Sequence, residues 1–366
     1  MTTLSVNVVI NIIRCAMVTI KDVARHSGVS IKTVSRVVNN LAEVSSETRQ
    51  KVQQVILELG YQPNATARNL VNGKTNTVGV IIPHSADYIF THSFFTQVLR
   101  GIAEVLSANN FDMHLHLAHD NEPYASLYSQ RKVDGLILMS IPIGDPGIKG
   151  LDKSGAPCVF TCRLSDAGES DISFVDADFE GGVGLAMDHL ISLGHRRIGL
   201  LTGAENLVSV KLRKQGYLKA LKKNDIPVIE GYVLAGDFTS ESGYDLALQI
   251  MQHPSPPSAL VCGDDMMAFG AIKAVTELGY CVPKDISIVG FDDINLSQFS
   301  TPQLTTIRQE KYQKGRIAAE TLLTLIQNKD NGPQRQIITE TSLIVRASTA
   351  PAQIRSEGPG KEVGSE

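Results

Sequence analysis

From Thr77 onward the chain alternates short apolar runs with longer amphipathic stretches, and this alternation limits the possible folds more than any other feature. TVGVIIP, MHLHLA, VDGLILMS, APCVFT, RRIGLLTG, ALVCGDD and ISIVGFDD are of strand length, whereas FFTQVLRGIAEVL, GVGLAMDHLISL and AFGAIKAVTELG repeat apolar residues at helical spacing. Strand and helix in turn predict parallel sheets with helices on both faces. Such sheets hold ligands beyond the carboxyl ends of their strands. Those ends read His84-Ser85, Thr161-Cys162-Arg163, Gly203-Ala204, Asp264-Asp265 and Asp292-Asp293. Acids and hydroxyls there suit a ligand with many hydrogen-bond donors and acceptors.

The residues before this core have a different rhythm. Thr19 is placed to cap a helix, Asp22 stands where a capping box needs it, and Ile20, Val23 and Ala24 fall on one face that ends at Gly28. A second helix opens at Ser30, with Val34, Val37 and Val38 inward and Ile31, Lys32, Ser35 and Arg36 outward. A third runs from about Ser46 to Leu59, with Val52, Val55, Ile56 and Leu59 inward and Gly60 as its stop. Ala24 and Gly28 are small, as a close crossing of two helices requires. Three short helices with a tight turn between the first two predict a helix-turn-helix. In that unit the start of the second helix enters the major groove, where Lys32 and Arg36 can donate to guanine, Ile31 can meet a thymine methyl, and Thr33 and Ser35 can hold phosphates. The competing reading of Lys32 and Arg36 is an ordinary solvated face; cap, turn, spacing and charge together weigh against it.

Charge divides the chain in the same place. Residues 17–76 carry eight Lys or Arg against four acids, a surplus of +4, and the residues after them hold −9. A basic head on an acidic body predicts that only the head meets a polyanion. The five cysteines, Cys15, Cys158, Cys162, Cys262 and Cys281, are odd in number and lack Cys-x-x-Cys spacing, which favours a reducing compartment. MTTLSVNVVINIIRCA has no basic start, is interrupted by Asn7 and Asn11, and is too short to span a bilayer. It reads as a disordered extension before Met17. No later run reaches the roughly 18 apolar residues of a membrane helix, so a cytoplasmic protein without membrane association is expected.

The stretches TIKDVARHSGVSIKTVSRVVNN and VSSETRQKVQQVILELGYQPNATARNL closely resemble the DNA-binding head of the LacI/GalR family of bacterial transcription regulators. VDGLIL, HLISLGHRRIGLLTG and ISIVGFDD are similar to its effector core. The resemblance implies a three-helix head, a hinge helix, and a periplasmic-binding-protein-like core of two doubly wound subdomains crossed three times by the chain. It also implies base reading by Ile31, Lys32 and Arg36, and phosphate contacts from Thr19, Ser30, Thr33, Ser35 and Asn39. Glu43 departs from the basic or polar residue some relatives carry, and no base contact follows for it. QPNATARNLVNG is too short to be stable as an isolated helix, with Asn64 a cap and Ala67 and Leu70 on a thin apolar face. The family pairs this segment with its twofold mate in the minor groove, with Leu70 at the wedging position and Asn64 and Ala67 beside the DNA. A flexible linker with Leu70 packed on the body is the alternative.

Expected boundaries are 1–16 for the extension, 17–62 for the head, 63–76 for the hinge, 77–350 for the core and 351–366 for a disordered tail. Within the core, about 77–174 and 308–335 form one subdomain, and 175–307 and 336–350 the other. By resemblance, effector contacts fall to Phe94, Cys162, Ser209, Arg213, Phe238, Asp264, Asp292 and Gln309. Arg213 and Asp292 would grip hydroxyls, and Phe94 and Phe238 would stack, although core packing competes for each ring. Asp265 reads as a helix N-cap. Two departures stand out: Cys162 where the family usually has Asp, and Phe179 where it often has Asn.

The expectation is a homodimeric, nucleoid-associated repressor of carbohydrate genes that binds a near-palindromic operator and a sugar or sugar derivative, with no cofactor or metal. A secreted solute-binding protein shares the body but has no use for the basic head. An enzyme would need signatures that are missing, such as Gly-x-Ser-x-Gly or His-Glu-x-x-His. Gly73-Lys74-Thr75 is not a phosphate loop, because Arg68 stands where its first glycine belongs.

Overall fold

The structure, a computed structural model, describes residues 18–39, 41–62, 74–118, 122–165, 172–327 and 335–353. The extension at 1–16, hinge residues Asn64, Ala67 and Leu70, and the tail from 354 lie outside them. The chain divides near Thr75 into two units, each described by itself.

In the first unit, α1 (Ile20–Ser27), α2 (Ile31–Val38) and α3 (Ser46–Leu59) enclose Val23, Ala24, Val34, Val37, Val52 and Val55. The backbone N–H and hydroxyl of Thr19 both donate to Asp22, at 3.0 and 2.6 Å. Asp22 is held below the usual carboxylate range chiefly by the Thr19 hydroxyl. Gly28 adopts a left-handed φ of 65°, and Val29 N–H returns to Ala24 O at 3.1 Å. A Cβ on Gly28 would meet only Lys51 Nζ, at 3.8 Å, so this glycine serves the turn and not the close crossing expected from its size.

Among the described residues of the second unit are two six-stranded sheets. The first lobe runs through β1 (Thr77–Ile82), α4 (Ala86–Thr91), α5 (Ser93–Ala108), β2 (Asp112–Leu117), α6 (Ala125–Ser129), β3 (Gly135–Leu138), α7 (Leu151–Ser154), β4 (Cys158–Phe160) and β5 (Ser173–Ala177). The chain then builds the second lobe from α8 (Phe179–Ser192), β6 (Ile198–Thr202), α9 (Val208–Lys223), β7 (Val233–Ala235), α10 (Ser240–Met251), β8 (Ala259–Cys262), α11 (Asp265–Glu277), β9 (Ser287–Asp292) and β10 (Thr305–Gln309). It returns for α12 (Lys311–Gln327) and β11 (Gln336–Thr339), then crosses again for β12 (Thr341–Ile344). The strand orders are β11-β5-β4-β3-β1-β2 and β12-β10-β9-β8-β6-β7.

Alternation within each strand feeds two cores per sheet. Val78, Val80 and Ile82 face α5 and α12, whereas Ile81, with Leu136 and Leu138, faces Tyr124, Leu127 and Leu151. In the second sheet Ile198 and Leu200 pack with α8 and α9, and Leu201 with α10 and α11. Both faces are covered, which explains why these strands read as continuous apolar runs.

The crossings follow Ala177, Gln309 and Thr339, whereas the sequence placed them after 174, 307 and 335. The difference arises because β5 completes its pairing with β11 before the chain leaves the sheet, and β10 stays beside β9 through Arg308. The pairing of β12 with β10 is antiparallel, an exception to the expected parallel order at the sheet edge. Beyond it, Ala352 N–H donates to Leu193 O at 2.8 Å, so the ordered chain continues past the expected end at 350.

Candidate functional site

Of the residues expected to meet DNA, the described ones lie at the start of α1 and along α2 and its caps. Ser30 Oγ accepts from Thr33 N–H at 3.1 Å and contacts Thr33 Oγ1 at 2.9 Å, so capping fixes the first turn of α2. Ile31 and Lys32 are exposed on that turn. Ser35 and Arg36 follow one turn later and are half-buried, while the Asn39 amide donates to Ser35 O at 2.9 Å. Thr19 is exposed at the start of α1. Arg36 is not free: its Nη2 lies 2.6 Å from Glu43 Oε2.

In the second unit an open cleft brings together all eight residues expected to contact an effector: Phe94, Cys162, Ser209, Arg213, Phe238, Asp264, Asp292 and Gln309. They come from both lobes. Phe94 lies in the first turn of α5 and Cys162 follows β4; Ser209 and Arg213 share a face of α9, four residues apart. Phe238 follows β7, Asp264 caps α11, and Asp292 and Gln309 end β9 and β10. Strand ends and helix starts therefore supply the polar groups, as the topology requires.

Arg213 is 4% exposed, with its guanidinium carbon 4.3 and 4.4 Å from the ring centres of Phe179 and Phe291 and 5.5 Å from that of Phe238. Aromatic faces stabilise such a cation where water is excluded. Burial pulls Arg213 below its ordinary value, opposed by Asp292, Asp264 and Asp176. Among the described residues its Nε has no partner, nor does Oε1 of Gln309, so one donor and one acceptor remain for a ligand. Gln309 Nε2 donates to Asp292 Oδ1. The Phe238 ring lies on the backbone of Gly203, where a Cβ would come within 2.0 Å of Cζ.

Asp176, Lys314 and His92 also line the cleft and had not been anticipated. Lys314 of α12, 2% exposed, donates to Asp176 Oδ1 at 2.9 Å, and Arg163 Nε donates to Asp176 Oδ2 at 3.3 Å. His92, the N-cap of α5, lies with Nε2 2.7 Å from Asp264 Oδ2, a buried bond joining the first lobe to the second. Burial lowers His92, but the Asp264 carboxylate outweighs it and leaves the imidazole above its ordinary value. Burial also raises Asp264, partly offset by His92.

Asp265 is not the cap of α11. That place belongs to Asp264, which accepts from Met267 N–H at 2.8 Å. Asp265 turns inward to accept from Ile294 N–H, Ser297 Oγ and Thr306 Oγ1, and burial lifts it to about 8. It braces the loop after β9 from behind the cleft. Burial, followed by Asp176, pushes the Cys162 thiol up to about 12, leaving it a neutral wall and not a nucleophile. Among the described residues no group of His, Cys, Asp or Glu could hold a metal ion, and no helix is long and apolar enough to cross a membrane.

Residues 19–64 match the family model for bacterial regulatory proteins of the lacI family, and residues 187–349 match a periplasmic binding protein-like domain. The chain is 37% identical over 344 residues to the HTH-type transcriptional repressor PurR of Yersinia pestis (strain Pestoides F), covering 93% of this chain and 99% of the relative. The lac repressor dimer bound to operator and the anti-inducer ONPF is similar at a TM-score of 0.81 and 31% identity, covering 91% of this chain and 99% of that one. The complex of the transcriptional regulator CelR with cellobiose gives a TM-score of 0.72 at 31% identity, covering 90% and 99%.

Proposed function

The chain belongs to the lacI family of bacterial regulatory proteins and is a DNA-binding transcriptional regulator, not an enzyme; from that premise we propose that it is a cytoplasmic homodimeric repressor whose operator affinity is set by a sugar or sugar derivative held in the cleft of the core. The observation that carries the effector reading is the convergence of eight residues from both lobes on one cleft, with Arg213 Nε and Gln309 Oε1 left without partners among the described residues. A ligand that accepts from Arg213 and donates to Gln309 while covering Phe94 and Phe238 suits a hydroxylated ring with one apolar face. The cellobiose complex of CelR supports the same chemical class.

In the first unit, Ile31, Lys32 and Arg36 read base edges, while Thr19, Ser30, Thr33, Ser35 and Asn39 hold phosphates. Two heads on a twofold axis call for a near-palindromic operator. The hinge, with Asn64, Ala67 and Leu70, transmits the state of the core. Selection of bound duplexes from a randomised library tests the DNA reading. Enrichment of a near-palindrome supports it, and recovery of unrelated sequences contradicts it.

A further inference from the structure

We propose that Glu43 is a specificity-determining residue that acts by holding the Arg36 guanidinium in place for a base and away from phosphates; this rests on the reading of Arg36 as a base contact. The loop from α2 to α3 is built to keep Glu43 there. Leu41 N–H returns to Arg36 O at 2.9 Å, and the Arg49 guanidinium grips Leu41 O from α3. The chain is thus folded back over the end of α2 and presents the Glu43 carboxylate 2.6 Å from Arg36 Nη2. The two side chains are 35% and 67% exposed, so the pair adds little to stability.

Its consequence is electrostatic. A guanidinium has five N–H donors in a fixed fork, so one can stay with Glu43 while two others meet guanine O6 and N7. A phosphate at the same guanidinium would bring a second anion against the carboxylate, and like charges at close range repel. Base contact is compatible with the pair; phosphate contact is penalised. Glu43 therefore lowers binding to arbitrary DNA more than binding to the operator.

The test uses the full chain and two duplexes of equal length, the selected near-palindrome and an unrelated sequence. With Glu43→Gln, which keeps shape and one acceptor but removes the charge, affinity for the unrelated duplex should rise ~3–10-fold. Operator affinity should change less than ~2-fold, and the slope of log affinity against log salt on unrelated DNA should steepen by about 1, because one more phosphate is neutralised. Preference at the base pair facing Arg36 should fall by a similar ~3–10-fold. An equal rise on both duplexes, or none on either, overturns the proposal. In an Arg36→Ala background the Glu43→Gln effect should vanish, and its persistence means that Glu43 acts on DNA without Arg36. If Arg36→Ala alone leaves base preference intact, the underlying reading of Arg36 fails, and that failure is seen separately from the effect of Glu43.

Discussion

His92→Phe keeps a ring among Tyr88, Phe94 and Phe95 but removes the hydrogen bond to Asp264. His92 and Asp264 side chains are 9% and 2% exposed, so water does not replace the lost partner. A buried hydrogen bond to a charged group contributes about 1.5–3 kcal/mol, and the carboxylate left behind is costly, so the core should lose roughly that much in urea unfolding. The imidazole is above its ordinary 6.5, with Asp264, Asp292 and Asp265 favouring its charged form and His84 and Tyr88 nearby. A base raised by folding contributes stability that is complete below its unfolded value and is lost as pH rises through the folded one. The gap between the native protein and His92→Phe should therefore be widest at about pH 6 and narrower at about pH 8.5. Adding Asp264→Asn should recover part of the loss, because no charge is then stranded. A gap below about 0.5 kcal/mol, or one that widens with pH, refutes this account of the bond.

Two further changes test the walls of the cleft. Gly203→Ala places a Cβ where the Phe238 ring now lies and should displace that ring, weakening effector binding by tenfold or more in calorimetry while operator binding without effector persists. Lys314→Met removes the buried cation beside Asp176, leaving Arg163 as its remaining ion pair; it should destabilise the core by about 3 kcal/mol in thermal or urea unfolding.

The fold was legible where local chemistry repeats. The caps Thr19 and Ser30 and the stop glycines Gly28 and Gly60 marked both ends of α1, the start of α2 and the end of α3, because caps are decided by near neighbours. The cleft-facing strand ends were legible from topology, and the eight residues named from resemblance all line the cleft. Asp176, Lys314 and His92 were harder to find because their partners lie far away in sequence, 138 residues for Lys314 and 172 for His92. Lys314 did leave a trace, a cation within the periodic KYQKGRIAAETLL, and Asp176 another, an acid in the apolar SFVDADF. That Asp264 and not Asp265 caps α11 had no local signal, since either could do so; Ser297 and Thr306 decide it by holding Asp265.

The central claim is that a ligand in the cleft governs binding of the head to DNA. Fluorescence anisotropy of a labelled near-palindromic duplex, titrated with the full chain in the presence and absence of each member of a sugar panel, measures that coupling. The account predicts at least one sugar that changes operator affinity by about 5–150-fold, with the same factor recovered when sugar affinity is measured with and without operator. Arg213→Ala should abolish that change while leaving operator binding without sugar intact. A sugar that binds the core yet leaves operator affinity unchanged, with no other member of the panel altering it, would contradict the claim.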